Sequence, residues 1–211
     1  METFSNTIIQ FLMAVPTSTQ YFVLFLFSFA EGMPIIGSIL PGGTIAIFAG
    51  TLVQQGLLSP IVTSVVIGLS SFFGDMTGFL ISKKFKHLRF IRSVVENEKH
   101  QKTWDLFDRH LMIIAIFGKL IPVVRSSPSI LAGVRGVKTR RYIFYSFTGS
   151  ILWAVVGVYA GKLLENFLGE KAIPIIFAVI VISIGAVVIR MVIKKLIKRH
   201  KRNKENTSLS E

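Results

Sequence analysis

The stretch that decides the fold is LMIIAIFGKLIPVVRSSPSILAGVRGVKTRR, residues 111–141. Its apolar part contains only two charges, Lys119 and Arg125. Ionisable groups at membrane depth are costly, and they usually face a cavity, a partner or a substrate. The two cations are therefore candidates for a binding site. An alternative for Lys119 is that its long side chain extends to the cytoplasmic membrane surface.

Two prolines interrupt this stretch. Pro122 and Pro128 remove backbone donors, so we predict two half-helices that meet at a break rather than one continuous helix. Ser127 followed by Pro128 is typical of a helix start, because serine is a good N-cap and proline is favoured at the first helical position. The free N–H groups of a helix start attract anions. The sequence therefore predicts an anion site at which Ser126 and Ser127 join the two cations.

Both flanks of the stretch are basic. Residues 82–110 carry eight Lys or Arg residues, and residues 135–141 carry four more. Because Lys and Arg beside membrane segments favour the cytoplasm, both ends are expected on that side. The stretch is therefore predicted to be a re-entrant helical hairpin, called here the second hairpin, which enters the membrane and returns without crossing it.

The first part of the chain contains a comparable pattern. Residues 21–30 are almost wholly apolar but only about 15 Å long as a helix, roughly half the hydrocarbon thickness. A further apolar run covers residues 45–53, and the predicted break between the two runs contains Pro41, Gly42 and Gly43. No Lys or Arg occurs in the first 82 residues, so this first hairpin is predicted to enter from outside.

The remaining apolar segments predict three membrane-spanning helices, at residues 61–81, 142–164 and 172–189. Residues 4–15 and 85–110 mix apolar and polar positions, which indicates short amphipathic helices at the membrane surface. Whether residues 4–15 lie on the membrane or enter it stays open. The predicted parts of the chain are an interfacial segment 1–19, a membrane domain 20–165 with two hairpin-plus-span repeats, a C-terminal transmembrane helix 166–193 and a basic cytoplasmic tail 194–211.

The composition supports a membrane protein. With 51% hydrophobic residues and a mean hydropathy of +0.61, the 211-residue chain is too apolar for a soluble domain of its size. Its net charge of +13 lies between and after apolar segments, where topology and anionic lipid explain it, so no nucleic-acid partner is expected. The absence of cysteine excludes disulfides and thiol chemistry. No basic segment precedes the first apolar run, so the chain is expected to keep its N-terminus.

An internal repeat links the two halves. Each hairpin has an Ala-Gly pair after a proline, and each is followed by a span with Gly-x-x-x-Gly, at Gly74 and Gly78 and at Gly157 and Gly161. Such glycines permit close helix contact. Two broken segments that enter from opposite faces are typical of an inverted-repeat transporter with its site at the midplane. The predicted fold is an all-α integral membrane protein with two inverted re-entrant hairpins, transmembrane helices and short amphipathic interfacial helices.

Four segments carry a family resemblance: FAEGMPIIGSILPGG at residues 29–43, Gly74-Asp75, FGKLIPVVRSSPSILAG at 117–133 and RRYIFYSFTGSILWAVVGVYAGKLL at 140–164. They resemble the DedA family of membrane proteins, which is related to the eukaryotic VTT-domain proteins of the SNARE-associated superfamily. The resemblance covers about residues 20–165. It implies two opposed re-entrant hairpins and movement of lipids across the bilayer, in bacteria notably undecaprenyl phosphate or phospholipids, with links to the proton-motive force.

By this resemblance, the family's first acidic position falls on Glu31, and its two arginines, six residues apart, fall on Lys119 and Arg125. The chain departs from the family pattern twice. The family often has an acidic residue where this chain has Gly43, and lysine replaces arginine at position 119. A lysine supplies a point charge without the planar fork that binds phosphate bidentately. The absence of a carboxylate at position 43 argues against a proton-coupled function more than against a lipid-binding one.

Two carboxylates, Glu31 and Asp75, are candidates for coupling or proton transfer. Glu31 is expected either at the outer interface or inside the membrane, as a partner of Arg125 or a proton carrier. For Asp75, a structural role as an acceptor that caps a broken backbone is an equal alternative.

Together these residues predict a flippase- or scramblase-type transporter of an anionic lipid, multi-pass in the plasma membrane with a cytoplasmic C-terminus. A proton- or cation-coupled antiporter is the alternative, and a membrane lipid phosphatase is a third class. A phosphatase would need a nucleophile such as a histidine beside an apolar segment, or an acidic cluster that binds two metals, and the sequence shows neither. The four histidines lie in polar segments without ligand spacing. No catalytic residue, metal or cofactor is therefore expected.

Overall fold

The structure, a computed structural model, describes residues 14–33, 43–85, 110–120 and 127–176, together with residues 10, 178, 179, 182 and 185. Within these ranges the chain forms helices and turns and no strand, so the prediction of an all-α protein is confirmed for them. The helices are α1 (Thr17–Gly32), α2 (Thr44–Gln54), α3 (Pro60–Lys84), α4 (His110–Leu120), α5 (Ser127–Val134) and α6 (Thr139–Leu168). A 3-10 turn, Gly169–Lys171, follows α6, and the described residues from 172 onward are helical.

The starts of these helices follow from local chemistry. Pro60 is the first residue of α3, where its missing N–H costs nothing. Gly43 precedes α2 with a φ of 93°, a left-handed conformation that glycine adopts at little cost. The predicted helix start in the second hairpin is confirmed, because α5 begins at Ser127 with Pro128 in its first turn.

Helix α1 begins earlier than its sequence indicated. The first apolar run was predicted to begin at residue 21, but the polar residues 17–20 before it form the first turn of α1. Gln20 is buried there, and its Nε2 donates to the carbonyl oxygen of Val15 at 3.0 Å. A local hydrogen bond thus engages the amide nitrogen of this polar residue in the first turn of α1.

Helices α3 and α6 are long and apolar enough to cross a membrane. They have 25 and 30 residues, about 37 and 45 Å, against a hydrocarbon core of about 30 Å. Two of the three predicted spans therefore correspond to helices of sufficient length. The third, at residues 172–189, lies partly outside the described residues, as do the surface helices predicted at 4–15 and 85–110.

The two long helices, α3 and α6, pack against each other. Two short helices pack on the long helix of their own half of the chain, and the other two pack on the long helix of the other half. α1 packs on α3 and the end of α4 packs on α6, so these helices contact the long helix of their own half. α2 and α5 do the opposite: α2 packs on α6, and α5 packs on α3. The corresponding short helices of the two halves thus have corresponding partners. This agrees with the glycines that recur at a spacing of 83 residues, from Gly50 to Gly133 and from Gly78 to Gly161.

Two helix crossings require glycine. An added Cβ at Gly161 would overlap the carbonyl oxygen of Ile47, so α6 and α2 meet backbone to backbone. Where α1 crosses α3, an added Cβ at Gly74 would lie 2.6 Å from the carbonyl oxygen of Phe29. The interpretation of these glycines as sites of close helix contact is therefore confirmed.

Two apolar clusters fill the bundle on either side of a gap. One joins α2, α3 and α6 and includes Ile67 and Trp153. The other joins α3, α5 and α6 and includes Phe79 and Tyr142, whose rings stack with centroids 4.3 Å apart. The gap extends over about three turns of α3 and of α6. Polar side chains occupy it.

Candidate anion-binding site

The centre of the site is an ion pair between Lys119 and Asp75. Lys119 lies in the 3-10 turn Gly118–Leu120 that ends α4, and Asp75 lies within α3. The Nζ of Lys119 contacts Oδ2 of Asp75, and each side chain is 3% exposed. Two opposite charges are thus held together in the interior, where either charge alone would be costly.

Two serines of α6 complete the surroundings of this pair. The Nζ of Lys119 donates to the carbonyl oxygen of Ser146 at 3.1 Å, and to the hydroxyl oxygens of Ser146, at 3.4 Å, and of Ser150. The Ser146 hydroxyl in turn donates to Oδ2 of Asp75 at 3.1 Å. The two serines are one turn apart and lie on the same face of α6. These four residues, Asp75, Lys119, Ser146 and Ser150, are called the Lys119 cluster below.

The Lys119 cluster lies between the two apolar clusters. Asp75 falls between Ile67 and Phe79, which belong to different apolar clusters on α3. The two serines occupy the corresponding gap on α6. Asp75 is nine residues from the C-terminal end of α3, about 14 Å along the helix axis.

These contacts bear on two alternatives that the sequence left open. Lys119 does not extend to the membrane surface, because its ammonium group is buried and bound inside the bundle. Among the described residues the Asp75 carboxylate contacts the side chains of Lys119 and Ser146, so it neutralises the lysine. The predicted backbone breaks lie mostly outside the described residues, so a capping role for Asp75 stays a prediction. Ser146 and Ser150 were not predicted as site residues, because their signal in the sequence is no more than a spacing of four in an apolar segment.

The arrangement of the Lys119 cluster allows exchange of one anion for another. Among the described residues four oxygen atoms contact the ammonium group of Lys119, and of these four that of Asp75 is anionic. An external anion that took the place of Asp75 would keep the charge of Lys119 neutralised but would leave the Asp75 carboxylate without its cation. Because hydroxyl hydrogens rotate, Ser146 and Ser150 can donate to such an anion as well as accept from the lysine.

Glu31 lies at the end of α1 and is 2% exposed. Its Oε1 accepts a hydrogen bond from the backbone N–H of Gly43, the residue that precedes α2. A carboxylate is favoured there, because the positive end of a helix dipole lies at the helix start. Glu31 is therefore buried among the helices, in contrast to the alternative of an exposed interfacial carboxylate.

Glu31 and Asp75 flank the same helix crossing. Gly32 follows Glu31 and Gly74 precedes Asp75, and an added Cβ at Gly74 would lie 2.8 Å from the Cα of Gly32. Ser71, one turn before Asp75, is fully buried, and within the described ranges its hydroxyl has no hydrogen-bond partner. The crossing of α1 and α3 is thus a second polar region next to the Lys119 cluster.

Several predicted site residues lie outside the described residues: Pro41, Gly42, Pro122, Arg125 and Ser126. The roles given to Arg125 and Ser126, and the pairing of Arg125 with Glu31, stay predictions. The described residues bring Lys119 together with Asp75, and Glu31 together with Gly43. They contain no group of three His, Asp or Glu side chains that could hold a metal ion.

Fold and site together define a class of protein: an all-helical membrane protein with charged residues buried between its helices. The family model of the VTT domain matches residues 40–163, more than half of the chain. The chain belongs to the VTT domain family, and the resemblance to DedA proteins is confirmed.

The chain is similar to three proteins of Escherichia coli strain K12. Inner membrane protein YghB is 26% identical over 142 residues, which are 66% of this chain and 65% of YghB, so the match spans slightly less than two thirds of YghB. Inner membrane protein YqjA is 23% identical over 147 residues, 68% of this chain and 67% of YqjA. Protein DedA is 25% identical over 189 residues, 86% of this chain and 84% of DedA. No solved structure gives a significant match. The names of YghB and YqjA support a location in the cell membrane.

Proposed function

We propose that this protein is a lipid transporter of the flippase or scramblase type, which moves an anionic lipid such as undecaprenyl phosphate or a phospholipid across the cell membrane. The observation that carries the proposal is the Lys119 cluster. It holds a buried lysine whose charge is balanced by a carboxylate that an anionic head group can replace. Membership of the VTT domain family agrees with a function at the membrane.

The proposed mechanism begins with the cost of moving a phosphate head group into hydrocarbon, where it loses its hydration. A phosphate oxygen takes the place of Asp75 beside Lys119, and the hydroxyl groups of Ser146 and Ser150 donate to it. Arg125, six residues beyond the lysine, supplies a second cation. When Asp75 binds Lys119 again, the head group is released towards the other leaflet, while the acyl chains stay in lipid between the helices.

The architecture that we propose for this transport has two re-entrant hairpins. Helices α1 and α2 enter from outside, and α4 and α5 enter from the cytoplasm. α2 has 11 residues and α5 has 8, about 16 and 12 Å, which is too short for a hydrocarbon core of about 30 Å. The basic residues beside the second hairpin and in the tail favour a cytoplasmic position for these segments and for the C-terminus of the multi-pass chain that we propose.

A proton-coupled antiporter is the second candidate function. It is favoured by the two buried carboxylates, Glu31 and Asp75, that flank one helix crossing. A proton bound to Asp75 would remove the charge that holds Lys119. The same step could also couple a proton to lipid release, so the two candidates share their residues.

We favour transport over phosphatase chemistry. Within the described ranges the one histidine, His110, is exposed at the start of α4, about 14 Å along the helix from Lys119. It is not placed to attack a phosphorus atom held at the Lys119 cluster.

The test is the translocation of a labelled anionic lipid by the purified protein in liposomes. Lys119→Met should slow translocation by about 10- to 150-fold, because a hydrogen bond to a charged group contributes about 1.5–3 kcal/mol. Arg125→Ala should also abolish transport while the protein still inserts. Lys171→Met is the control, because Lys171 is exposed and lies outside the Lys119 cluster. A near-normal rate for Lys119→Met at equal protein level would refute the proposed site.

Two further measurements in the same liposomes separate the function classes. Release of inorganic phosphate from the lipid would indicate a phosphatase. An imposed pH gradient should change the translocation rate if Asp75 couples a proton to lipid release, and this response should be lost in Asp75→Asn. Proton movement without any lipid movement would favour the antiporter.

A further inference from the structure

A groove at the basic end of the bundle is lined by residues other than those of the Lys119 cluster. It is a cavity of about 650 Å³ between the start of α4 and the start of α6. Half of its lining residues are cations and half are apolar or aromatic: Lys138, Arg140 and Arg141, and Met112, Phe144 and Tyr145. It is called the α4–α6 groove below.

The charges of the α4–α6 groove select for an anion. Its three cations lie at the N-terminal end of α6, where the positive end of the helix dipole disfavours them. The first turn of α6 contains no acidic residue, and none of the three cations pairs with an acidic side chain in the part of the chain that the structure describes. A negatively charged ligand would relieve the repulsion among them.

The apolar part of the groove selects for a ligand with a hydrocarbon part. Met112 is 52% exposed and Phe144 is 62% exposed. The rings of Phe144 and Tyr145 meet edge to face with centroids 6.1 Å apart. A free phosphate ion would gain nothing from these side chains, whereas an acyl chain would cover them. An anionic phospholipid has both a negative charge and a hydrocarbon part, and it is present at the ends of membrane helices.

We propose that the α4–α6 groove binds an anionic phospholipid of the cytoplasmic leaflet, with its phosphate at Arg140 and Arg141 and an acyl chain along Met112 and Phe144. Charge complementarity and the adjacent exposed apolar side chains carry this assignment.

The α4–α6 groove also lies next to the Lys119 cluster on both of its helices. Met112 is seven residues before Lys119 on α4, about 10 Å, and Tyr145 directly precedes Ser146 on α6. A lipid bound in the groove is therefore placed to pass its head group to Lys119. This role as a loading site rests on the proposed function, whereas lipid binding in the groove does not.

The test is photo-cross-linking of the full-length protein in phosphatidylcholine vesicles with a phosphatidylglycerol that carries a diazirine in its acyl chain. Mass spectrometry should locate cross-links at Met112 and Phe144. An excess of unlabelled phosphatidylglycerol should suppress them, and the same excess of phosphatidylcholine should not. The double variant Arg140→Ala/Arg141→Ala should reduce them by about 30-fold, the factor expected for two cations near an anionic lipid.

The matched control is Lys84→Ala/Arg135→Ala, which removes two exposed cations from the same end of the bundle but none from the groove. It should cross-link like the unaltered protein. Equal labelling by a phosphatidylcholine probe, absence of competition, or an undiminished signal in Arg140→Ala/Arg141→Ala would overturn the groove as a site for anionic lipid. Cross-linking at the groove in a protein that translocates no lipid would refute the proposed function and leave the groove in place.

Discussion

Removal of Lys119 and removal of Asp75 should destabilise the protein by different amounts. Lys119→Met leaves the Asp75 carboxylate buried, with the hydroxyl of Ser146 as its donor. Asp75→Asn leaves the ammonium group of Lys119 with three oxygen acceptors from Ser146 and Ser150. Loss of one partner of a buried ion pair costs about 3–5 kcal/mol. We expect Lys119→Met to fall at the upper end of this range and Asp75→Asn at the lower end.

The double variant Asp75→Asn/Lys119→Met leaves neither charge buried alone. It should lose less stability than the sum of the two single variants, by about 1–3 kcal/mol. The measurement is the free energy of unfolding in mixed micelles titrated with sodium dodecyl sulfate. Lys171→Met is the control and should stay within about 0.5 kcal/mol of the unaltered protein, because Lys171 is exposed. Strictly additive losses would refute the ion pair.

Three other predictions test the packing, the carboxylate and the topology. Gly161→Ala should lower the free energy of unfolding by about 1–3 kcal/mol, because its methyl group would overlap a backbone carbonyl of α2. Gly185→Ala is the control and should not lower it, because no described atom lies within 4 Å of an added Cβ there; thermal melts in detergent compare the two variants. Glu31→Gln keeps an acceptor for the amide that precedes α2 but removes the charge, so unchanged lipid translocation would contradict a coupling role. Cysteines introduced singly at Gln55 and Thr139 into this cysteine-free chain should react with an impermeant reagent from opposite faces, and labelling of both from one face would contradict the inverted hairpins.

The sequence predicted that Lys119 is important but did not identify its partner. A charge in an apolar stretch is conspicuous in the sequence, and the cost of burying it points to a special role. Asp75 was equally conspicuous, but the contact between the two depends on the rotation of α3 about its axis and on the depth at which α4 ends. Neither quantity is encoded in local periodicity. The pairing therefore required the structure.

The serines of the Lys119 cluster were missed for a different reason. Serine is common in membrane helices, where its small size permits close packing and its hydroxyl bonds within or between helices. Ser146 and Ser150 therefore carried no signal that distinguished them from Thr148, whose hydroxyl donates to the carbonyl oxygen of Phe144 in its own helix. The length of α1 was underestimated on similar grounds, because Gln20 is polar in the sequence but hydrogen-bonded in the fold.

The internal repeat was predicted from the sequence, but the packing partners of its helices were not. The recurring glycines indicated close contacts, and the contacts exist, but the sequence did not indicate which helix each glycine meets. In the structure α2 and α5 each cross to the long helix of the other half. This exchange joins the halves through α3 and α6, so α2 and α5 are each held by a long helix of the other half.

The two partners of the ion pair differ in how easily they can move, and this difference bears on the proposed mechanism. Asp75 is in the interior of a 25-residue helix that is held by the crossing at Gly74 and by both apolar clusters. Lys119 lies on a 3-10 turn at the end of a short helix, where it is not held within a continuous α-helix as Asp75 is. Its side chain also has four rotatable methylene groups. In the proposed mechanism the lysine is therefore the partner expected to move away from Asp75 when a head group binds and to return to it when the head group is released.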